Sequence, residues 1–210
     1  MKYSMSAWLF GQFYHTACKA MLKQKGFPNQ TIKNIAAEYK RIVLNAKDIG
    51  NSKLFSAYMM GCYFIALNWN TGLKPEQNYE LFKDGLYASK IFHMAMGDAD
   101  AYLDEKKLPG RKKWSEESHK RQYENDWVVD ILEGCGKYDL GYDYLECGIY
   151  KLCHDEGCPE LAKYLCRLDF VMADMMGMTL KRTQTIAEGA DFCDFRYSKR
   201  NCIDENSVDI

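Results

Sequence analysis

Residues 166–196 read CRLDFVMADMMGMTLKRTQTIAEGADFCDFR, from Cys166 to Arg196. The stretch opens at helical spacing, with Leu161, Leu165, Leu168, Met172 and Met175 forming one apolar stripe over a helix expected at 159–176. Gly177 ends it. Two strands follow, at 178–188 and 191–199, joined at Gly189-Ala190. A two-residue loop with glycine first suits a type II′ hairpin turn. That register sets Thr185 opposite Asp194 and Thr183 opposite Arg196 on one polar face. The other face carries Leu180, Ile186, Cys193 and Phe195, with Arg182 and Tyr197 beyond. A three-residue loop would instead group Cys193 with Thr183 and Thr185, because a one-residue slip regroups the faces. The polar row either lines a pocket or is simply solvated.

Working upstream, Asp126 to Glu133 is β-branched and aromatic and is bounded by Gly134 and Gly136, so it reads as a strand. Residues 142–155 place Tyr142, Leu145, Ile149 and Leu152 on one face of an expected helix. The first hundred residues show four helical patterns, at 6–25, 30–47, 53–69 and 75–96. Ser52 is the expected cap of the third helix, and Pro75 the opening residue of the fourth. Residues 98–125 form a charged connector, with a turn at Pro109-Gly110 and a short helix at 115–123. The fold expected is α+β, mostly helical, with a small antiparallel sheet from 126–133, 178–188 and 191–199. The chain divides into a helical region (1–97), the connector (98–125), an α+β region (126–200) and a polar tail (201–210), expected to pack as one compact domain.

The composition narrows the function. The chain has 210 residues, 47% of them hydrophobic, and a net charge of −1. A sizeable core follows, while a general nucleic-acid binder would carry a basic face. The apolar run Leu54–Trp69 is shorter than the roughly 20 residues that cross a bilayer, so no membrane span is expected. No secretory signal is visible. The nine cysteines then read as thiols in a cytoplasmic protein, not as disulfides. Surplus aromatic and Met residues on the N-terminal helices fit either a large core or a homodimer.

Four fragments stand out: Glu146-Cys147-Gly148, Leu165-Cys166-Arg167-Leu168-Asp169, Arg182-Thr183-x-Thr185-Ile186-Ala187-x-Gly189 and Cys193-Asp194-Phe195-Arg196. Together they resemble the L-2-amino-thiazoline-4-carboxylic acid hydrolase family. The resemblance covers roughly 120–200 and implies opening of a cyclic isothiourea to N-carbamoyl-cysteine. Such a substrate is a small carboxylate with an amidine-like carbon and a sulfur leaving group.

That chemistry asks for particular groups. A carboxylate is gripped by a guanidinium, so Arg182 and Arg196 are the expected binding residues, with Arg167 third and Thr183 and Thr185 beside them. The amidine nitrogens want a carboxylate from Asp194, Asp169 or Glu146. Attack comes from an activated water or from a thiolate, for which Cys193 and Cys166 are candidates. Cys166 and Asp169, three apart, share a helix face. Each cysteine is otherwise a small apolar filler. No cofactor is implied. Zinc held among Cys147, Cys153, His154, Cys158, Cys166 and Cys193 stays as an alternative, although the spacings are not those of paired CxxC knuckles. A ligand-binding or sensor protein on the same fold is the second alternative.

Overall fold

The computed structural model describes residues 1–200; the expected polar tail at 201–210 lies outside them. Helices α1 (Met5–Gln24), α2 (Asn29–Asn45) and α4 (Pro75–Ala88) pack around α3 (Phe55–Thr71). The reason is in the side chains. Each residue of α3 from Tyr58 to Leu67 is buried, whereas α2 buries one stripe, Ile32, Ile35, Tyr39, Ile42 and Val43. A helix apolar all round must sit inside; an amphipathic one covers it. Gly85 lets α4 approach α1, since a Cβ there would lie 2.7 Å from the Ala17 carbonyl oxygen. Pro75 opens α4, as its missing N–H permits.

The fourth helix is shorter than the spacing predicts. It stops at Ser89, whose hydroxyl accepts from the Phe92 amide (3.3 Å) and caps a separate helix, α5 (Lys90–Met96). Ser52 does not cap α3. Its hydroxyl donates to Asp126 Oδ1 at 2.6 Å and accepts from Leu54 N. The connector holds α6 (Ala99–Leu103), a 3-10 turn at Glu105–Lys107 and α7 (Leu108–Ser118). Pro109 there belongs to the first turn of α7, where proline is tolerated, and is not a chain reversal.

The sheet is antiparallel with order β1-β2-β4-β3: β1 is Val128–Glu133, β2 Leu140–Glu146, β3 Met178–Lys181 and β4 Cys193–Lys199. The α+β class therefore holds, with one strand more than expected. The expected helix at 142–155 is two elements, β2 and then α8 (Gly148–Asp155). Leu140, Tyr142 and Tyr144 alternate as well as they step helically. Pairing with β1 on one side and β4 on the other decides for the strand. The expected helix at 159–176 is a 3-10 turn at Pro159–Leu161 leading into α9 (Ala162–Met175).

The hairpin also differs. Strands β3 and β4 are joined not by two residues but by 182–192, which contains a 3-10 turn at Ile186–Glu188. Lys181 pairs with Arg196 and Leu180 with Tyr197, two residues out of the expected register. A slip of two preserves the faces. Leu180, Cys193, Phe195 and Tyr197 accordingly point inward, while Asp194 and Arg196 point outward. The cause is Asp194. Its Oδ1 accepts from the amides of Thr183 (2.9 Å) and Gln184 (2.8 Å), which takes both out of the ladder.

Candidate active site

The inner sheet face meets α9, α6 and the aromatic residues of β2 and β4. Between this face and helices α1, α3 and α5 lies a hollow of about 680 Å³. Its lining residues Leu9, Ser56 and Ala95 are exposed and mark the mouth. One side of α9 forms part of its wall, supplying Leu165, Cys166, Asp169 and Met172, with Met176 following at the helix end. Cys166, Asp169 and Met172 recur every three residues and so stack along one side of the helix. Cys193, Phe195 and Tyr197 enter from β4, Tyr144 from β2, and Cys147 from the residue that opens α8.

Asp169 is the one acid among these lining residues. Its Oδ2 accepts from Arg182 Nη1 at 2.9 Å, and the same nitrogen donates to the Cys166 carbonyl at 3.0 Å. Oδ1 has no hydrogen-bonding partner among the described residues, so it is free to meet whatever fills the hollow. Burial raises the carboxyl to about 6, and the Arg182 charge and hydrogen bond only partly offset this. The guanidinium lies between the rings of Phe170 (4.8 Å) and Phe195 (4.9 Å). It therefore stands behind Asp169 and does not line the hollow itself.

Burial disfavours the thiolate form of all three cysteines. Burial pushes Cys147 up to about 12, and nearby Cys193 adds to this. Burial likewise raises Cys166, with Cys147 and Asp169 adding to the shift and Arg182 opposing it. Burial raises Cys193, against an opposing hydrogen bond from the Ile186 amide to its sulfur (3.2 Å). Among the lining residues, Asp169 is thus the group poised to move a proton near neutral pH.

The expected convergence of Arg182, Asp194 and Arg196 on one cavity is corrected. Asp194 is a loop anchor, with Thr183 Oγ1 also donating to its Oδ2 at 2.7 Å. Arg196 reaches Asp143 at 2.7 Å on the outer face and stacks on Tyr138. Thr185 is buried and donates to Glu188. Glu146 pairs with Arg121 and Lys151, away from the hollow. Arg167 stacks on Tyr79, 4.6 Å from the ring centre. Cys166, Asp169 and Cys193 are brought together, with Arg182 behind Asp169. Cys147 was considered only as a metal donor. It joins the wall, as do Tyr102, Tyr144, Tyr197 and the α1 residues Phe10, Phe13 and Tyr14. The alternation of β2 is the signal that would have placed Tyr144 opposite Cys193. Among the described residues, no group of three or more His, Cys, Asp or Glu side chains is placed to hold a metal ion, and no helix is long and apolar enough to cross a membrane.

The fold and hollow thus define an α+β protein with one carboxylate–guanidinium pair set into an aromatic pocket. A family model described as L-2-amino-thiazoline-4-carboxylic acid hydrolase matches residues 52–197, more than half of the chain, and the chain belongs to that family. No curated protein and no solved structure matches it.

Proposed function

We propose that this protein is a hydrolase that opens a cyclic isothiourea or amidine at the carbon between its two heteroatoms. The reaction is of the kind that converts 2-amino-thiazoline-4-carboxylate to N-carbamoyl-cysteine. The observation that carries this reading is the free Oδ1 of Asp169 on the wall of the hollow, with Arg182 behind it.

In this reading Asp169 takes a proton from a water that attacks the ring carbon. The water oxygen becomes the new carbonyl oxygen. The carbon–sulfur bond then breaks, Asp169 returns its proton to the departing sulfur, and the proton of the new hydroxyl passes to the ring nitrogen, or to solvent where that nitrogen entered protonated, so one water is consumed and no electrons are exchanged. Arg182 positions the carboxylate and keeps it ionised at neutral pH. Cys166 and Cys193 enter as walls, because a protonated thiol is a poor nucleophile.

Turnover of 2-aminothiazolines in ¹⁸O-labelled water, followed by mass spectrometry, tests this. Label is expected in the carbamoyl oxygen, with Asp169→Asn slowed by about 10²–10⁴-fold and Cys193→Ser and Cys166→Ser changed far less. Full activity in Asp169→Asn would remove the proposed base, and total loss in Cys193→Ser with Asp169→Asn active would assign attack to the thiol. The apolar character of the lining favours a second reading, a ligand-holding protein without catalysis. It predicts tight binding with no product.

A further inference from the structure

The reacting head that the reading above assigns to Asp169 would fill only a corner of this hollow. Pockets of roughly 300–1,000 Å³ enclose drug-sized ligands, and about 680 Å³ lies well inside that range. A single substituted five-membered ring is far smaller. The remaining wall is hydrocarbon and aromatic, with Phe10, Phe13, Met60 and Phe92 among its members.

The charges point the same way. Among the described residues, no Lys, Arg or His lines the hollow. The guanidinium beside Asp169, that of Arg182, is 6% exposed, engaged by Asp169 and the Cys166 carbonyl, and covered by two rings. A ligand carboxylate would be stripped of water beside a like charge, with no cation to meet it. An amidinium or protonated isothiourea would instead find the free oxygen of Asp169. An exposed apolar side chain, Leu9, also stands at the entrance. Moreover, the wall from α1, with Leu9, Phe10, Phe13 and Tyr14, lies outside residues 52–197, whereas Asp169 and the three thiols lie inside them. The proposed base thus belongs to the family-matched part, while part of the apolar enclosure belongs to the preceding helix.

We infer that this site takes a ligand with an apolar body of alkyl or aryl character joined to a cyclic amidine-type head, and without a free carboxylate. The inference rests on the hydrolase reading only for the identity of that head.

Calorimetric binding and product analysis on the full chain would compare three probes. These are 2-amino-thiazoline-4-carboxylate, 2-aminothiazoline bearing a hexyl chain, and the equally substituted neutral thiazolidin-2-one. Each buried methylene multiplies affinity roughly fourfold, so the hexyl compound is expected to bind at least about a hundredfold more tightly than the carboxylate. The neutral compound should bind about tenfold or more weaker than its amidine counterpart, and Asp169→Asn should erase that difference. If Asp169→Asn does not fold, the comparison of charged and neutral heads on the unaltered protein decides the point. Equal or tighter binding of the carboxylate would overturn the inference, as would indifference to head charge. Binding as expected with no compound opened would sink the hydrolase reading and leave the ligand class standing. Turnover of the carboxylate with no binding of the hexyl compound would do the reverse.

Discussion

Arg182 Nη1 stands 2.9 Å from Asp169 Oδ2, with the guanidinium side chain 6% exposed and the carboxylate side chain 24% exposed. The pair is asymmetric: its positive member is sealed in and its negative member borders the hollow. A carboxyl raised to about 6 by burial is a base that titrates just below neutral pH. The kcat/KM for ring opening should therefore rise about tenfold per pH unit below that value and level off above it. A profile flat from pH 5 to 8 would exclude Asp169 as the base.

The same shift predicts a cost in stability. Because the folded state holds the Asp169 proton more tightly than the unfolded chain, this group favours folding below the ordinary carboxyl value of about 3.9, and the benefit is lost as pH rises through about 6. The wild-type protein should lose on the order of 3 kcal/mol relative to Asp169→Asn between pH 4 and pH 7. Urea melts of the two proteins at both pH values measure the difference.

Replacing Arg182 with Met should act on Asp169 through its field. The carboxyl, still buried and now unpaired, should titrate higher, moving the acid limb of the rate profile to higher pH. Removing one partner of a buried pair should also cost about 3–5 kcal/mol. A less stable variant whose limb does not move would give Arg182 a purely structural role.

Asp194→Ala should loosen the loop at 182–192 through the loss of its bonds to Thr183 and Gln184. The cost is on the order of 2 kcal/mol at neutral pH. Burial raises the Asp194 carboxyl, but these hydrogen bonds together outweigh it and hold it below the usual range. Its stabilisation is thus present above about pH 3.9 and is lost as pH falls through the depressed folded value. Hydrogen exchange of the loop amides at pH 7 and thermal melts under acid test both halves of this expectation.

Arg196→Ala should affect stability more than turnover. The guanidinium pairs with Asp143, which lies directly between Asp130 and Asp194 across three strands. Like charges facing one another across strands are unfavourable. The loss should be on the order of 2 kcal/mol, between the values for exposed and buried pairs. A folded variant with abolished activity would return Arg196 to the site.

Much of the fold was legible because long elements repeat their apolar positions. The stripe on α2 and the all-apolar α3 bury what their spacing implies, as do Leu161, Leu165 and Leu168 of the next stripe, whereas Met172 and Met175 are half-buried. Leu140–Glu146 was not legible, because Tyr142, Leu145, Ile149 and Leu152 step like a helix while Leu140, Tyr142 and Tyr144 alternate like a strand. Short apolar runs satisfy both periods, and only pairing partners distinguish them.

By itself the sequence determined the α+β class, the family-bearing fragments, the shared helix face of Cys166 and Asp169, and the inward set Leu180, Cys193, Phe195 and Tyr197. Those features depend on spacing along one element, which the chain carries locally. Only the tertiary structure decided that the hollow lies on the apolar face of the sheet, that Arg182 serves Asp169, and that Asp194 and Arg196 turn away. These relations arise between segments far apart in the chain. They depend on which amides a carboxylate captures and on the space that packed helices leave, and neither is written in the order of residues.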